Sequence, residues 1–237
     1  MAKYTFKYGT GTVDFDYPEE DVLRVIEPAE LEKSTQTEEQ IIREAIENPI
    51  GSPKLEEIVK PGQSVCIVVP DVTRLWARPS VIVHILVEKL EKIGVKDEDI
   101  LFISGVGTHR LQEEEDFENL IGKDFCARFK HQNHYCDSDD FVTVGTTSRG
   151  NVIEINKFAM ECDHRILVGG IVFHFLAGFG GGRKMVLPGI SSRTTINTDH
   201  KYYFKPGPAG SGAVDTVACG ITDGNPVHED MLEAAKL

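Results

Sequence analysis

At 237 residues, 41% hydrophobic and 27% charged, the chain has the composition of a soluble globular protein with enough apolar material for one large or two modest domains. Its net charge of -13 repels polyphosphate backbones, so nucleic acid is not an expected partner. No segment approaches the roughly 20 apolar residues of a membrane span, and the N-terminus MAKYTFKYGTGTVDF lacks an apolar signal core; no membrane partner and a cytoplasmic location are expected, with five widely spaced cysteines as reduced thiols.

Residues 3–17 alternate polar and apolar side chains around Gly9-Thr10-Gly11, the pattern of a hairpin. From Thr37 the pattern EEQIIREAIENP gathers Ile41, Ile42, Ala45 and Ile46 on one face, and Pro49 stops this short amphipathic helix. The connector 49–62 keeps a helical stretch around Leu55 to Val59. SVCIVVP at 64–70 is a β-branched run of strand length, and DVTRLWARP at 71–79 follows as a polar loop. Ser80 then caps a helix whose apolar residues Ile82, Ile85, Leu86, Leu90 and Ile93 recur at helical spacing before Gly94 ends it.

ILFIS at 100–104 is the next strand, GVGTHR at 105–110 its loop, and the acidic start of QEEEDFENLIGKDFCARF opens another helix. Phe141–Val144 is a third strand candidate, followed by the turn-rich TTSRGN, an extended run around Val152–Ile155, and the strand RILV at 165–168. Asp223-Gly224 is a turn, Asn225 an N-cap and Pro226 a first-turn proline, so VHEDMLEAAKL begins a helix without a stop signal, as in a piece of a longer protein. Strands alternating with helices at this spacing predict an α/β fold, a mainly parallel sheet with helices on both faces. Ligands of such sheets bind beyond the carboxyl ends of the strands, where the loops carry Asp71, Thr73 and Arg74, then Thr108, His109 and Arg110, then His174, the glycines and Lys184.

That third loop, in GGIVFHFLAGFGGGRKMVLPGISSRTTINTDH (169–200), holds four glycines in five residues: Gly178, Gly180, Gly181 and Gly182. Glycine is entropically costly, and its usual return is a backbone that takes positive φ and lets a ligand approach, here beside the charges of Arg183 and Lys184. A P-loop would need glycine at 183 and a hydroxyl at 185, where Arg183 and Met185 stand. A dinucleotide fingerprint starting at Gly178 fails at the same arginine. A flexible surface loop is the plainer alternative.

Histidines on separate strand-end loops, His109 and His174, suit proton transfer near neutral pH, although His174 between two phenylalanines also reads as a core residue. Arg74 can grip a carboxylate, with Asp71 and Thr73 fixing ligand hydroxyls or capping the next helix. Lys184 is suited to covalent attachment once desolvated, and His200 in the polar turn NTDH to metal ligation. His131, His134 and Cys136 are metal ligands by type, but their spacing matches no zinc pattern and a surface loop is the reading; His84, His164 and His228 carry no assigned role. On the residues alone, an isomerase, a small-anion-binding domain without chemistry, and an epimerase or dehydratase using another metal at His109, His174 and His200 all stay open.

PDVTR, GTHR, HFLAGFGGGRKMVLPGI and TDH together resemble the nickel-pincer lactate racemase family, over most of the chain from about Ser64 onward. The resemblance implies a Rossmann-like N-terminal domain spanning 1–237, with a C-terminal domain that this sequence lacks. It implies a nicotinic-acid-derived nickel-pincer nucleotide tethered to Lys184 and supported by Asp71, Thr73, Gly180, Gly181 and Gly182, with His200 on the nickel. It further implies acid/base roles for His109 and His174 in racemising a lactate-like 2-hydroxy acid by hydride transfer, a substrate held by Arg74, Asp71 and Trp76, and cofactor-biosynthesis proteins as partners. Trp76 and Arg78 in LWARPS raise the expectation of a substrate that is larger than lactate or has a second carboxylate.

Overall fold

The computed structural model describes residues 1–27, 34–208 and 211–237, and the chain divides into two compact units, Met1–Thr37 and Glu38–Leu237. In the first, β1 (Ala2–Tyr8) and β2 (Gly11–Tyr17) pair antiparallel from Ala2↔Tyr17 to Tyr8↔Gly11, as the alternating pattern predicts. Phe6 and Phe15 meet edge to face across this hairpin at 5.7 Å between ring centroids.

The second unit opens with α1 (Glu38–Glu47) and α2 (Leu55–Ile58), then β3 (Val65–Val69), α3 (Pro79–Ile93) and β4 (Ile100–Ser104). Next come α4 (Glu114–Ile121), α5 (Lys123–Arg128), β5 (Lys130–Asn133), β6 (Phe141–Thr146), β7 (Val152–Asn156), α6 (Lys157–Glu161) and β8 (His164–Leu167). The short β9 (Phe173–His174) and β10 (Gly178–Phe179) precede α7 (Arg193–Lys201) and α8 (Pro226–Ala234). Strands β5, β4, β3 and β8 lie in that order in one parallel sheet.

Both faces of the sheet are covered, which is why β3 reads as an unbroken apolar run. Val65, Ile67 and Val69 pack with Val83, Leu86 and Leu90 of α3 and with Leu120, Ile121 and Phe125 beyond it. Cys66 and Val68 point the other way, into a second core with Ile153 and Ile155 of β7, Ile196 of α7 and Met231 of α8. Burying each such side chain contributes about 1.5–3 kcal/mol of transfer free energy, so the two cores hold the strand ends in place from both sides. Gly94, at φ 102°, closes α3 in the left-handed conformation expected of a C-cap glycine.

Several local expectations are corrected. The residue capping α3 is Arg78, left-handed at φ 49°, with Pro79 as the first helical residue, so Ser80 lies inside the helix. The loop after β3 is wound into a 3-10 turn, Val72–Ala77, because Asp71 accepts the Thr73 N–H at 2.8 Å. Gly122, at φ 97°, breaks the acidic helix into α4 and α5. Strand β6 leaves the main sheet and pairs antiparallel with β7, because TTSRGN closes a local hairpin. His200 sits in α7 rather than in a turn, behind the N-cap Ser192.

The HQNHYC stretch is also not a surface loop: it holds β5 and, just beyond it, His134 at 0% exposure. His134 bonds the Ser191 carbonyl through Nε2 at 2.9 Å and receives the Asn156 amide on Nδ1 at 3.2 Å, tying β5 to the segment before α7. Burial, only partly opposed by the Ser191 carbonyl, lowers its pKa to about 4. Between pH 6.5 and 4 the unfolded chain binds a proton at this histidine that the folded chain does not, so stability present above 6.5 is lost as pH falls through this window. Wild type should lose up to about 3 kcal/mol more than His134→Gln over that range, and denaturant melts at pH 7 and 4.5 with equal pH dependence would contradict it.

Candidate active site

Strands β4 and β8 flank β3 on opposite sides, so the chain leaves the carboxyl end of β3 between two diverging neighbours. That is the switch point at which doubly wound sheets form a crevice. A cleft of about 620 Å³ lies there, walled by Asp71, Arg74 and Trp76 after β3, by Gly105 to His109 after β4, and by Gly169 to Leu176 after β8. Gly180, Gly181, Lys184 and His200 also line it, together with Met185, Pro188 and Gly189.

After β3, Asp71 is 5% exposed and works as a hub. One oxygen accepts the Thr73 N–H and hydroxyl, and the other lies 3.0 Å from His109 Nδ1. Burial alone would raise the carboxyl pKa, but the Thr73 and His109 hydrogen bonds together bring it below the ordinary value, so Asp71 is an anion. It therefore holds the proton of His109 on Nδ1 and leaves Nε2 as the free lone pair. The Thr73 hydroxyl in turn accepts from Arg74, which turns that guanidinium along the cleft wall. Trp76 lies against Gly170, where any Cβ would overlap its ring.

On the opposite wall His174 Nδ1 accepts two main-chain N–H groups, those of Leu176 and Ala177, each at 3.1 Å. The ring proton is thereby placed on Nε2, which lies 3.2 Å from Lys184 Nζ. A ring N–H can bond that amine only if the amine is the free base. Burial is the main cause lowering the Lys184 pKa to about 8, with Asp199 opposing and Arg183 and Arg74 reinforcing it. The His174 pKa is lowered to about 4, by burial first and then by Lys184, Arg74, His200 and Arg183. The pair is thus a neutral imidazole against an amine that deprotonates readily.

His200, on α7, bonds the Ile196 carbonyl through Nδ1 at 2.9 Å, which leaves Nε2 as its lone-pair atom, suited to a metal. Its neighbour Asp199 is fully buried. Asp199 Oδ2 lies 3.1 Å from His200 Nδ1, but the ring N–H is spent on Ile196, and neither carboxylate oxygen has a hydrogen-bond partner. Burial raises the Asp199 pKa to about 6 despite His200 beside it. A buried carboxylate is costly unless compensated, and the cations near it are Lys184 and Arg183.

Of the residues singled out from sequence, Asp71, Arg74, Trp76, His109, His174, Gly180, Gly181, Lys184 and His200 share this one cleft. Thr73 acts through Asp71 and Arg74 and is not among the wall residues, and neither is Gly182. His174 is a wall residue rather than a core one, since Phe173 and Phe175 beside it are 72% and 66% exposed. Arg183 spends its guanidinium on the carbonyls of Ala177 and Phe179, bracing the glycine loop instead of facing a ligand. Arg78 pairs with Glu38 at 3.1 Å and takes no part in the cleft wall. His131, His134 and Cys136 do not converge: His134 is a buried brace, and His131 groups with Glu114 and Cys126.

Sequence reasoning missed Asp199 and Gly170. The only signals were the acid next to His200 in TDH and the paired glycines that end RILVGG.

A sequence model of the lactate racemase N-terminal domain matches residues 8–211. The lactate racemases of Thermoanaerobacterium thermosaccharolyticum and Lactiplantibacillus plantarum are each 31% identical over the whole chain, which covers 54% of either protein. The chain therefore spans about half the length of the curated relatives it matches. Among solved structures, the lactate racemase apoprotein of T. thermosaccharolyticum superposes with a TM-score of 0.82 at 30% identity, covering 99% of this chain and 53% of that one. A Thermotoga maritima protein superposes at 0.66 and 26% identity, over 87% of this chain and 49% of that one.

The Lys184 charge is one of the causes that depress His174, so removing it should raise the His174 pKa while burial keeps it below 6.5. NMR titration of the His174 ring in Lys184→Met should show an upward shift from about 4, and an unchanged or lower value would contradict this contribution of Lys184.

Proposed function

This chain belongs to the lactate racemase N-terminal domain family, and from that premise we propose that it supplies the catalytic half of a 2-hydroxy acid racemase working through a nickel-pincer nucleotide. The observation that carries the reading is the Lys184 amine, desolvated and held 3.2 Å from His174 Nε2, in the same cleft as His109, Arg74 and His200. When bound, the nucleotide supplies an acceptor that takes the substrate's α-hydride and returns it to either face.

The residues present fit such a group. Lys184 offers a nucleophilic amine for the tether and His200 Nε2 an imidazole ligand for nickel. Gly180 and Gly181 give a wall of bare backbone beside Lys184, in a cleft of nucleotide size at about 620 Å³. Gly181, at φ 72°, takes a conformation that side chains disfavour and sits against the Gly170 carbonyl, where a Cβ would be at 3.0 Å.

Arg74 holds the substrate carboxylate by paired hydrogen bonds. Arg78 is engaged with Glu38, so this loop presents a single guanidinium, which suits a monocarboxylate such as lactate better than a substrate with two carboxylates. Trp76, packed on Gly170, limits the room for the rest of the substrate. His109, its Nδ1–H committed to Asp71, presents a lone pair on Nε2 and takes the hydroxyl proton. His174, its Nδ1 committed to two main-chain N–H groups, carries a proton on Nε2 and offers it as a hydrogen bond to the keto oxygen, while the proton taken up by His109 returns to that oxygen when the centre is re-formed. One ring acts as base and the other as hydrogen-bond donor on the same oxygen, so the proton count closes after each turnover whichever enantiomer enters.

The same reading places the enzyme in the cytoplasm, consistent with five free thiols, and requires cofactor-synthesis proteins as partners. The whole 1–237 stretch then acts as the N-terminal half. Among the described residues, no helix is long and apolar enough to cross a membrane.

In the full-length, cofactor-loaded enzyme, assayed over a panel of 2-hydroxy acids, His109→Ala and His174→Ala should each lower kcat by about 10²–10⁴-fold. Arg74→Gln should act mainly on KM, raising it about tenfold or more. Racemisation that survives either histidine substitution, or no turnover of any 2-hydroxy acid by wild type, would overturn the assignment.

A further inference from the structure

A second constellation lies away from the cleft, at the edge of the sheet formed by β5. There the first turn of α4 brings Glu114, α5 brings Cys126 and β5 brings His131, with their donor atoms all within 4.8 Å of one another. His131 Nε2 is 3.2 Å from Glu114 Oε2. Its Nδ1 bonds the Phe129 carbonyl at 3.2 Å, and its ring lies 4.8 Å from that of Phe117. The imidazole is therefore fixed with Nε2 facing Glu114, the arrangement that carbonyl partners on Nδ1 impose on metal-binding histidines. Cys126 is partly buried against the core, whereas the Glu114 side chain is 66% exposed and free to adjust.

We propose that Glu114, Cys126 and His131 form a second metal site, separate from the cleft, that takes a borderline divalent ion of the zinc class with water in the remaining position. Tetrahedral zinc bonds of about 2.0–2.3 Å place ligand atoms about 3.3–3.7 Å apart, so the nitrogen and oxygen already stand near the required spacing and the sulfur needs only a small closure. One sulfur, one imidazole and one carboxylate form a donor set that favours zinc or cobalt over calcium or magnesium.

The charge also balances. A thiolate and a carboxylate neutralise a dication, and the surroundings carry further acids in Glu118 and Asp124. In the metal-free protein, burial first and then Glu114, Glu118 and Asp124 hold the Cys126 thiol up at about 11. Binding breaks the S–H bond, forms the metal–sulfur bond and releases one proton to solvent. A simple Glu114–His131 ion pair would give the thiol no part. Closing the site would clamp α4 and α5 to the sheet edge.

The test is a cobalt(II) titration of the full-length protein, free of the nucleotide, in a non-thiol reductant. Wild type should bind one equivalent with a thiolate-to-cobalt charge-transfer band and tetrahedral d–d bands, both displaced by zinc. Cys126→Ser should lose the charge-transfer band and weaken binding at least about tenfold. Glu114→Gln, on an exposed side chain, should weaken binding and keep the band, and His200→Ala should leave the band unchanged. No charge-transfer band in folded wild type, a band that survives Cys126→Ser, or a band lost with His200→Ala would each overturn the proposal.

Discussion

Two main-chain N–H groups aimed at one ring nitrogen set the state of the whole cleft. By donating to His174 Nδ1, Leu176 and Ala177 put the imidazole proton on Nε2, and that proton faces the Lys184 amine. Burial, reinforced by Arg183 and Arg74, lowers the Lys184 pKa to about 8, and the facing ring N–H is a hydrogen bond that only the uncharged amine can accept. The loop that supplies those N–H groups is pinned in turn. Asn225, the N-cap of α8, donates to the Leu176 carbonyl at 2.8 Å, and Arg183 reaches back to the carbonyls of Ala177 and Phe179. Helix α8 thus contributes to the site without touching it.

The opposite wall solves the complementary problem. His109 is held by the Asp71 carboxylate in the other tautomer, with its lone pair on Nε2. Asp71 is fixed by the 3-10 turn that it caps. One wall thus presents a ring proton and the other a ring lone pair, each determined by the partner of that ring's Nδ1. In the proposed reaction His109 takes and returns the hydroxyl proton while the His174 N–H holds the same oxygen from the other wall and Arg74 keeps the carboxylate in place.

The architecture was legible where a local pattern decides the outcome. The apolar run of β3 and the helical period of α3 announce themselves, and the loops beyond the strand ends held the polar residues that meet in the cleft. Strand β5 was not legible because KHQN has no apolar pattern; it is a strand only because β4 offers it a parallel ladder. Strand β6 read only as a strand, because its sequence does not say which partner it takes, and the nearby turn settles that in favour of β7. Nor could spacing show that His174 and Lys184, ten positions apart, touch through a two-stranded turn, or that Asp199 is buried without a partner. Arg78 misled for a related reason: its charge suggested a ligand contact, but a left-handed backbone turns it toward Glu38.

The measurement that bears most directly on the central claim is peptide mapping of the Gly180–Arg193 segment, with nickel analysis, from full-length protein made alongside cofactor-synthesis proteins. A mass adduct confined to Lys184 and accompanied by nickel is the result predicted by a desolvated amine with its pKa lowered to about 8 beside His174. An unmodified Lys184 under those conditions, or an adduct on another residue of the segment, would contradict it and turn the cleft into an anion-binding or other-metal site.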